Sequence, residues 1–331
     1  MLVEIENLRI AFANRTETFE AVRGVSFSVG KEKFAIVGES GSGKSLTARS
    51  LMQLLPGSAR IQADKLSFDG IDLRGASEKT LRQIRGKRVG FILQDPKYSL
   101  NPVMTIGQQV AEAWREHKGG SRRAAMDAAI DLLDQVRIRD PQRVAGRYPH
   151  EVSGGMGQRV MIAMMLAPDP ELLIADEPTS ALDATVQAEI LCLIDDLVSQ
   201  RGMGLILISH DLPLVSHFCD RVAVMYAGRI VEEASMSEIL RHPRHPYTRV
   251  LLGSRPKEGL KKGDALHCIP GAPPDLARLP PGCAFAERCP HRRPVCEQSL
   301  PPTESVAERH AVSCHRWREL AIDANAQALA V

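Results

Sequence analysis

The sequence predicts a layered α/β fold, because short apolar strands alternate with helices and one glycine-rich loop joins a strand to a helix. The predicted strands are apolar almost throughout, as are parallel strands that are covered on both faces. They lie at residues 33–37, 89–93, 172–175, 205–209 and 222–226. Helical patterns occupy residues 45–55, 122–135 and 185–199 between them.

Two further regions complete the predicted core. Apolar residues recur with a period of two at 3–5, 8–10 and 25–27, which predicts a small antiparallel sheet at the edge. Residues 104–166 carry mostly helical patterns and are expected to form an inserted helical subdomain.

Composition excludes several classes of protein. The 331 residues are 25% charged and 44% hydrophobic, which is average for a globular protein and unlike a disordered, collagen-like or multi-span membrane chain. A net charge of +2 and 4% aromatic residues argue against a nucleic-acid partner. The start lacks the features of a signal peptide, and no apolar stretch reaches the ~18–20 residues of a membrane span. We therefore expect a soluble cytoplasmic protein.

Cysteine and proline are unevenly distributed. Five of the 7 cysteines and ten of the 21 prolines follow residue 252. The five cysteines are Cys268, Cys283, Cys289, Cys296 and Cys314. Without an export signal, metal or cluster binding is a better explanation for clustered cysteines than disulfides. Cys192, between Leu191 and Leu193, is instead expected in the core.

The strongest motif is GESGSGKS at residues 38–45, which matches G-x-x-x-x-G-K-[ST] between a strand and a helix. Glycines let the loop wrap tightly, so that its N–H groups point at phosphate oxygens, and the helix N-terminus adds positive potential. Lys44 is expected to reach the β- and γ-phosphates of a nucleotide, and Ser45 to bind Mg²⁺. The candidate nucleotide-binding residues here are Gly38, Glu39, Ser40, Gly41, Ser42, Gly43, Lys44 and Ser45.

A pair of carboxylates, Asp176 and Glu177, ends the strand at 172–175. Ligand sites of open α/β sheets gather at the carboxyl ends of the strands. Asp176 suits Mg²⁺ binding, and Glu177 suits polarisation of an attacking water. The pair alone is a weak signal, but together with the phosphate loop it predicts a nucleotide hydrolase.

Residues 152–159, VSGGMGQR, resemble the signature motif of the ATP-binding subunits of ABC transporters. Ser153, Gly154 and Gly155 would open a helix whose N-terminus can bind an anion. The resemblance implies that this helix end faces the γ-phosphate of an ATP that is held by the opposite subunit.

Other residues resemble further elements of the same family, in the family's order. Gln94 resembles the glutamine that senses Mg²⁺ and the membrane partner, and Asp183 ends a segment similar to the D-loop. His210 resembles the switch histidine that contacts the γ-phosphate. Phe12 is the best match for the aromatic residue that stacks on adenine, with Phe19 as the alternative.

The sequence departs from the usual family pattern at two positions. Met156 stands where the signature usually has glutamine, which resembles the peptide-importer branch, and Ala234 displaces an expected glycine. Neither change removes a phosphate ligand. The resemblance therefore still implies ATP hydrolysis.

The C-terminal part resembles the extension of oligopeptide and dipeptide importer ATPases, beginning with RHPYTR at residues 244–249. We expect an ATPase domain at 1–252, with its helical subdomain at about 95–167, and an extension at 253–331. Its prolines predict an irregular, extended path.

Four cysteines in this extension have the spacing Cys283-x₅-Cys289-x₆-Cys296-x₁₇-Cys314. Four thiolates suit a [4Fe–4S] cluster or zinc, although the C-x-x-C knuckles of zinc ribbons are missing and unligated thiols remain an alternative. The stretch CAFAERCP at 283–290 resembles the peptide-importer extension, where an iron–sulfur cluster of structural role is implied.

The resemblance implies an energy-coupling ATPase that works with two transmembrane permeases, a second identical or related ATPase subunit and an extracytoplasmic substrate-binding protein. It places the chain peripherally on the cytoplasmic face of the bacterial inner membrane. Residues 95–102, DPKYSLNP, resemble the segment that contacts the permease.

Three alternative functions are consistent with parts of this pattern. Importers of nickel, glutathione, murein peptides or opines share these motifs. A soluble ABC ATPase would need a long coiled-coil insertion or a second nucleotide-binding core, and neither is present. Retention of Gln94, Glu177 and His210 disfavours a binding protein without hydrolysis.

Overall fold

The computed structural model describes residues 1–13, 18–96, 99–253, 269 and 271–320. Its strands are β1 (Val3–Ala13), β2 (Thr18–Val29), β3 (Lys33–Val37), β4 (Ala59–Gln62), β5 (Lys65–Phe68), β6 (Ile71–Asp72), β7 (Val89–Ile92), β8 (Leu172–Asp176), β9 (Gly204–Ser209), β10 (Arg221–Tyr226), β11 (Arg229–Ser235), β12 (Glu304–Ala307) and β13 (His310–Val312).

Eleven α-helices are described in these ranges. They are α1 (Lys44–Leu51), α2 (Glu78–Ile84), α3 (Ile106–Lys118), α4 (Arg122–Gln135), α5 (Pro141–Ala145), α6 (Gly154–Leu166), α7 (Ala184–Arg201), α8 (Leu212–Val215), α9 (Met236–Arg241), α10 (Pro246–Gly253) and α11 (Pro294–Gln298). Among the described residues, none of the helices is both long and apolar enough to cross a membrane.

The chain divides into two compact units. The helical unit comprises Met1–Leu2, Val29–Glu32 and Gly75–Ile208, and the phosphate-loop unit comprises Val3–Ser28, Lys33–Arg74 and Ser209–Val331.

Three parallel strands form the sheet of the helical unit, in the order β9-β8-β7. Val89 pairs with Leu172 in register, and Leu172 in turn pairs with Gly204. All five residues of β8 are buried, as its continuous apolar sequence predicts. The predicted strands of this unit are confirmed to within one residue at each end.

Helices α3 to α6 fill the region between β7 and β8, which confirms the predicted helical character of residues 104–166. Polar side chains fix where these helices begin. Thr105 and Gln108 form a reciprocal capping box at α3, Ser121 caps α4 and Ser153 caps α6. Cys192 is exposed on α7, so the expected core position is wrong.

Two groups of strands form the phosphate-loop unit. The first is antiparallel, in the order β2-β1-β5-β6 with β4 also paired to β1, and it confirms the predicted edge sheet. In the second, β3 runs parallel to β10, and β10 is antiparallel to β11. The residues of β3 from Phe34 to Val37 are fully buried, so the strand that leads into the phosphate loop is part of the core.

The C-terminal residues are more regular than their prolines predict. β12 and β13 form an antiparallel hairpin, and β13 pairs with β11 through Glu232 and Val312. Residues 271–293 follow a mostly irregular path, while the later segment adds strands to an existing sheet edge. Cys268 lies outside the described residues.

A substitution at Gly204 can test how closely the helical unit is packed. A Cβ atom at this position would lie 2.8 Å from the carbonyl oxygen of Gly30. Backbone atoms cannot move aside as a side chain can, so we expect Gly204→Ala to lower the free energy of unfolding by about 1–3 kcal/mol. The measurement is chemical denaturation of the full chain. Gly57, in an exposed turn with no heavy atom within 4 Å of its Cβ position, is the matched control. Equal stability of Gly204→Ala and Gly57→Ala would contradict the packing argument.

Candidate active site

The phosphate loop spans the turn between the end of β3 and the start of α1. Gly38, Gly41 and Gly43 have φ values of 155°, 79° and 97°, in the region that residues with a Cβ atom rarely adopt. A Cβ atom on Gly38 would lie 2.1 Å from the carbonyl oxygen of Met225, and one on Gly43 would lie 2.7 Å from that of Ala21. Glycine at these two positions is therefore required by the backbone of neighbouring strands.

Lys44 is buried, with 4% of its surface exposed, and its side chain folds back over the loop. Its Nζ donates hydrogen bonds to the carbonyl oxygens of Gly38, at 2.8 Å, and Glu39, at 2.9 Å. The ammonium group is thus held against the backbone of the loop by acceptors that phosphate oxygens can replace. Ser45 follows on the first turn of α1.

The helical unit brings Asp176, Glu177 and Gln94 together. Asp176 ends β8 and is 2% exposed, and Glu177 follows it with a φ of 46°, which is uncommon for a residue other than glycine. The Glu177 N–H donates to the carbonyl of Ile208 at 3.1 Å, which fixes this conformation. Nε2 of Gln94 lies 3.5 Å from Oε2 of Glu177. Strained backbone of this kind is concentrated at functional sites.

The signature segment places an exposed helix N-terminus beside the start of α7. Ser153 Oγ accepts the N–H of Met156 at 3.3 Å, so Ser153 is the N-cap of α6. A Cβ on Gly155 would lie 3.0 Å from Cγ1 of Val186. Asp183 caps α7 by accepting the Val186 N–H at 3.1 Å. Ser153, Gly154 and Asp183 are exposed, so a partner can reach this surface.

The remaining candidates for nucleotide contact lie in the phosphate-loop unit. His210 is exposed directly after β9. Phe12 and Phe19 stack on each other, with ring centroids 5.8 Å apart and planes inclined by 26°. The two rings form one aromatic surface, and the geometry does not favour either ring over the other as the adenine contact.

The four predicted cysteine ligands line one small apolar cavity, together with His245 and Phe285. The cysteines are Cys283, Cys289, Cys296 and Cys314. Burial raises the pKa of Cys283 to about 11 and that of Cys314 to about 12, with neighbouring thiols adding to the shift. In the described part of the chain, groups of three or more His, Cys, Asp or Glu residues arranged to hold a metal ion are absent.

Sequence reasoning missed Glu232, a fully buried carboxylate behind the cavity. It accepts the N–H groups of Arg244, at 2.6 Å, and His245, at 2.9 Å, and its Oε1 lies 2.8 Å from Nε2 of His310. Burial lowers the pKa of His245 to about 4, so this ring is neutral and its Nδ1 accepts the N–H of Tyr247 at 3.0 Å. The Arg-His-Pro-Tyr segment was the only sequence signal for this network.

Gln109 was also missed, although it holds Asn101, near the end of the segment at 95–102. This buried side chain donates to the carbonyl oxygens of Asn101, at 3.0 Å, and Met104, at 3.1 Å, and accepts the Asn101 N–H at 2.8 Å. Lys97 and Tyr98 of the same segment lie outside the described residues.

Comparisons with protein families find two matches in the chain. Residues 22–180 match the ABC transporter family, and residues 231–296 match the C-terminal region of oligopeptide/dipeptide transporters.

Among individual relatives, a putative peptide import ATP-binding protein of Brucella abortus is 48% identical over 97% of this chain and 98% of its own length. The dipeptide transport ATP-binding protein DppD of Bacillus subtilis is 46% identical over 95% of this chain and 94% of its own length. The oligopeptide transport ATP-binding protein OppD of the same organism is 46% identical over 94% of this chain and 87% of its own.

Among solved structures, the dimeric structure of a bacterial ABC transporter cassette aligns with a TM-score of 0.62 at 26% identity. The alignment covers 71% of this chain and 98% of the cassette. The protein cbiO1 of Clostridium perfringens, part of the ABC transporter complex cbiONQ, aligns with a TM-score of 0.61 at 27% identity, over 73% of this chain and 91% of its own.

Proposed function

The chain belongs to the ATP-binding subunits of ABC transporters, in the branch with the oligopeptide/dipeptide C-terminal region, and from this premise we propose how its residues perform that function. It is the ATP-hydrolysing subunit of a peptide importer. The observation that carries this function is the presence of both family regions in one chain, aligned almost end to end with peptide import subunits.

The phosphate loop binds the nucleotide. Lys44 exchanges its two carbonyl acceptors, on Gly38 and Glu39, for oxygens of the β- and γ-phosphates. The loop N–H groups and the N-terminus of α1 add further donors. Phe12 stacks on adenine, with its neighbour Phe19 as the alternative.

Mg²⁺ binding is assigned to Ser45, Gln94 and Asp176. The hydroxyl, amide and carboxylate oxygens of this set are the hard donors that Mg²⁺ prefers, and when bound the ion offsets phosphate charge. Glu177 polarises the attacking water. Nε2 of Gln94 lies 3.5 Å from Oε2 of Glu177. His210 contacts the γ-phosphate.

A second ATPase subunit, either identical or a related chain, completes the site. Ser153, Gly154 and Gly155 offer the N-terminus of α6 to the γ-phosphate of the partner's ATP, and Asp183 lies on the same exposed surface. This assignment is supported by the dimeric organisation of the similar bacterial cassette.

Membrane partners are proposed because both family matches and the named relatives are transporter proteins. We assign two permeases, contacted by residues 95–102, an extracytoplasmic substrate-binding protein, and a peripheral location on the cytoplasmic face of the inner membrane. Gln109 supports this contact by holding Asn101 and Met104 in place.

A [4Fe–4S] cluster is proposed at Cys283, Cys289, Cys296 and Cys314. The proposal is supported by the apolar cavity that the four thiols share, where thiolates without a cation would repel one another and lack hydration. When bound, the cluster cross-links segments that have little core of their own.

Two variants separate nucleotide binding from hydrolysis. Lys44→Ala should abolish ATP binding, because the phosphates lose their buried cation. Glu177→Gln should keep ATP binding and accumulate ATP-bound dimers, while kcat falls by ~10²-fold or more because the general base is lost. Fluorescent-nucleotide titration, ATPase assays and size-exclusion chromatography with ATP measure these effects. Lys79→Ala, at an exposed lysine of α2, is the control for Lys44. Unchanged turnover in Glu177→Gln would refute its role.

The cluster assignment is tested by iron analysis of anaerobically purified protein. We expect about four Fe per chain and broad visible absorption, because a [4Fe–4S] cluster supplies both. Cys289→Ser should lose most of the iron, whereas Cys192→Ser, at an exposed cysteine of α7, should retain it. Background iron with one bound zinc per chain would overturn the assignment.

A further inference from the structure

Arg288 lies in the segment at residues 282–298, here called the cysteine-lined segment, and it contacts the phosphate loop directly. Its guanidinium donates to both carboxylate oxygens of Glu39, with Nη1–Oε2 at 2.6 Å and Nη2–Oε1 at 2.9 Å. The Arg288 side chain is 6% exposed and that of Glu39 is 22% exposed. A two-point pair with this little exposure fixes orientation as well as charge.

Neighbouring groups hold Arg288 in place. Nη1 also donates to the hydroxyl of Tyr226 at 3.1 Å, and Nη2 lies 3.4 Å from the carbonyl oxygen of Gly271. The guanidinium carbon lies 5.9 Å from the centre of the Tyr226 ring. The ion pair with Glu39 raises the pKa of Arg288 further, so the cation persists at any physiological pH. These contacts leave the guanidinium little freedom to turn away from the loop.

Glu39 is also held through its backbone. Its N–H donates to the hydroxyl of Tyr247 at 2.8 Å, and the Tyr247 ring packs against Tyr226 and Phe285 with centroids 4.7 and 5.3 Å away. The carbonyl of the same residue accepts from Lys44. Glu39 therefore joins the cysteine-lined segment on one side to the phosphate-binding lysine on the other.

We infer that Arg288 is a positioning residue for the phosphate loop, through which ATP affinity is coupled to the folded state of the cysteine-lined segment at residues 282–298. The inference rests on the proposed function of the loop as the ATP site. Arg288 does not touch the nucleotide; it holds Glu39, and Glu39 fixes the backbone that faces Lys44. Coupling is reciprocal, so bound ATP also stabilises the segment.

Loss of the pair should appear in ATP affinity and much less in turnover. We expect Arg288→Gln to raise the Kd for a fluorescent ATP analogue and the KM for ATP about 10-fold, with kcat changed less than about twofold. Arg288→Lys keeps the charge but loses the two-point geometry, so its Kd should lie between that of wild type and that of Arg288→Gln. Arg318→Gln is the matched control, because this arginine of the same C-terminal region has a 70% exposed side chain in a surface pair with Glu304. Its Kd should stay within about twofold of wild type.

Two further measurements distinguish positioning from general damage. Adding Glu39→Gln to Arg288→Gln removes the unpaired, half-buried carboxylate, so the double variant should bind the analogue more tightly than Arg288→Gln alone. In hydrogen exchange of the full chain, ATP should slow exchange of residues 282–298 in wild type and fail to do so in Arg288→Gln.

The outcomes that would overturn the inference are specific. They are a folded Arg288→Gln with wild-type Kd, an equal loss of affinity in Arg318→Gln, or ATP protection of residues 282–298 that survives in Arg288→Gln. If Arg288→Gln does not fold, Arg288→Lys decides, and a wild-type Kd overturns the proposal. Failure of the wild-type chain to bind ATP would instead refute the proposed function, which the Lys44→Ala comparison detects independently.

Discussion

The close approach of three backbone segments at the phosphate loop is the constraint on which this structure depends. The backbones of Met225 and Ala21 limit the space in which the loop turns. A Cβ atom on Gly38 would lie only 2.1 Å from the carbonyl oxygen of Met225. A side chain there would displace β10, because a carbonyl in a strand cannot rotate away without losing its ladder bonds. The same tight turn brings the carbonyl oxygens of Gly38 and Glu39 within reach of Lys44.

Buried charges attach the C-terminal residues to this loop and to the sheet beside it. Glu39 forms an ion pair with Arg288. Glu232 accepts hydrogen bonds from two backbone N–H groups and is hydrogen-bonded to His310. Such pairs add little net stability relative to apolar residues, but breaking one leaves a charge without hydration. Their contribution is therefore to specify a single arrangement of the segment, which fits a region with few apolar residues of its own.

Local patterns allowed much of the fold to be predicted, because buried parallel strands and side-chain caps leave their signals within a few residues. Helix α1 is shorter than its pattern, ending at Leu51 rather than at residue 55, because Gln53 adopts a φ of 49° before Pro56. The motif residues of the site were predicted for the same reason. The pair between Arg288 and Glu39 joins positions 249 apart, and β13 is only three residues long, so neither leaves a local pattern.

The cysteine-lined segment is consequently a part of the nucleotide-binding structure. The C-terminal residues contact the rest of the phosphate-loop unit at two places: β13 pairs with the edge strand β11, and Arg288 of the cysteine-lined segment binds Glu39 of the loop. A structural change at one of these contacts affects the other only if the residues between them are rigidly packed. The packed rings of Tyr226, Tyr247 and Phe285 supply that stiffness, since their centroids lie within 5.3 Å of one another. Packed side chains thus connect the cysteine-lined cavity to Glu39, and the proposed coupling between the segment and ATP affinity would run along this connection.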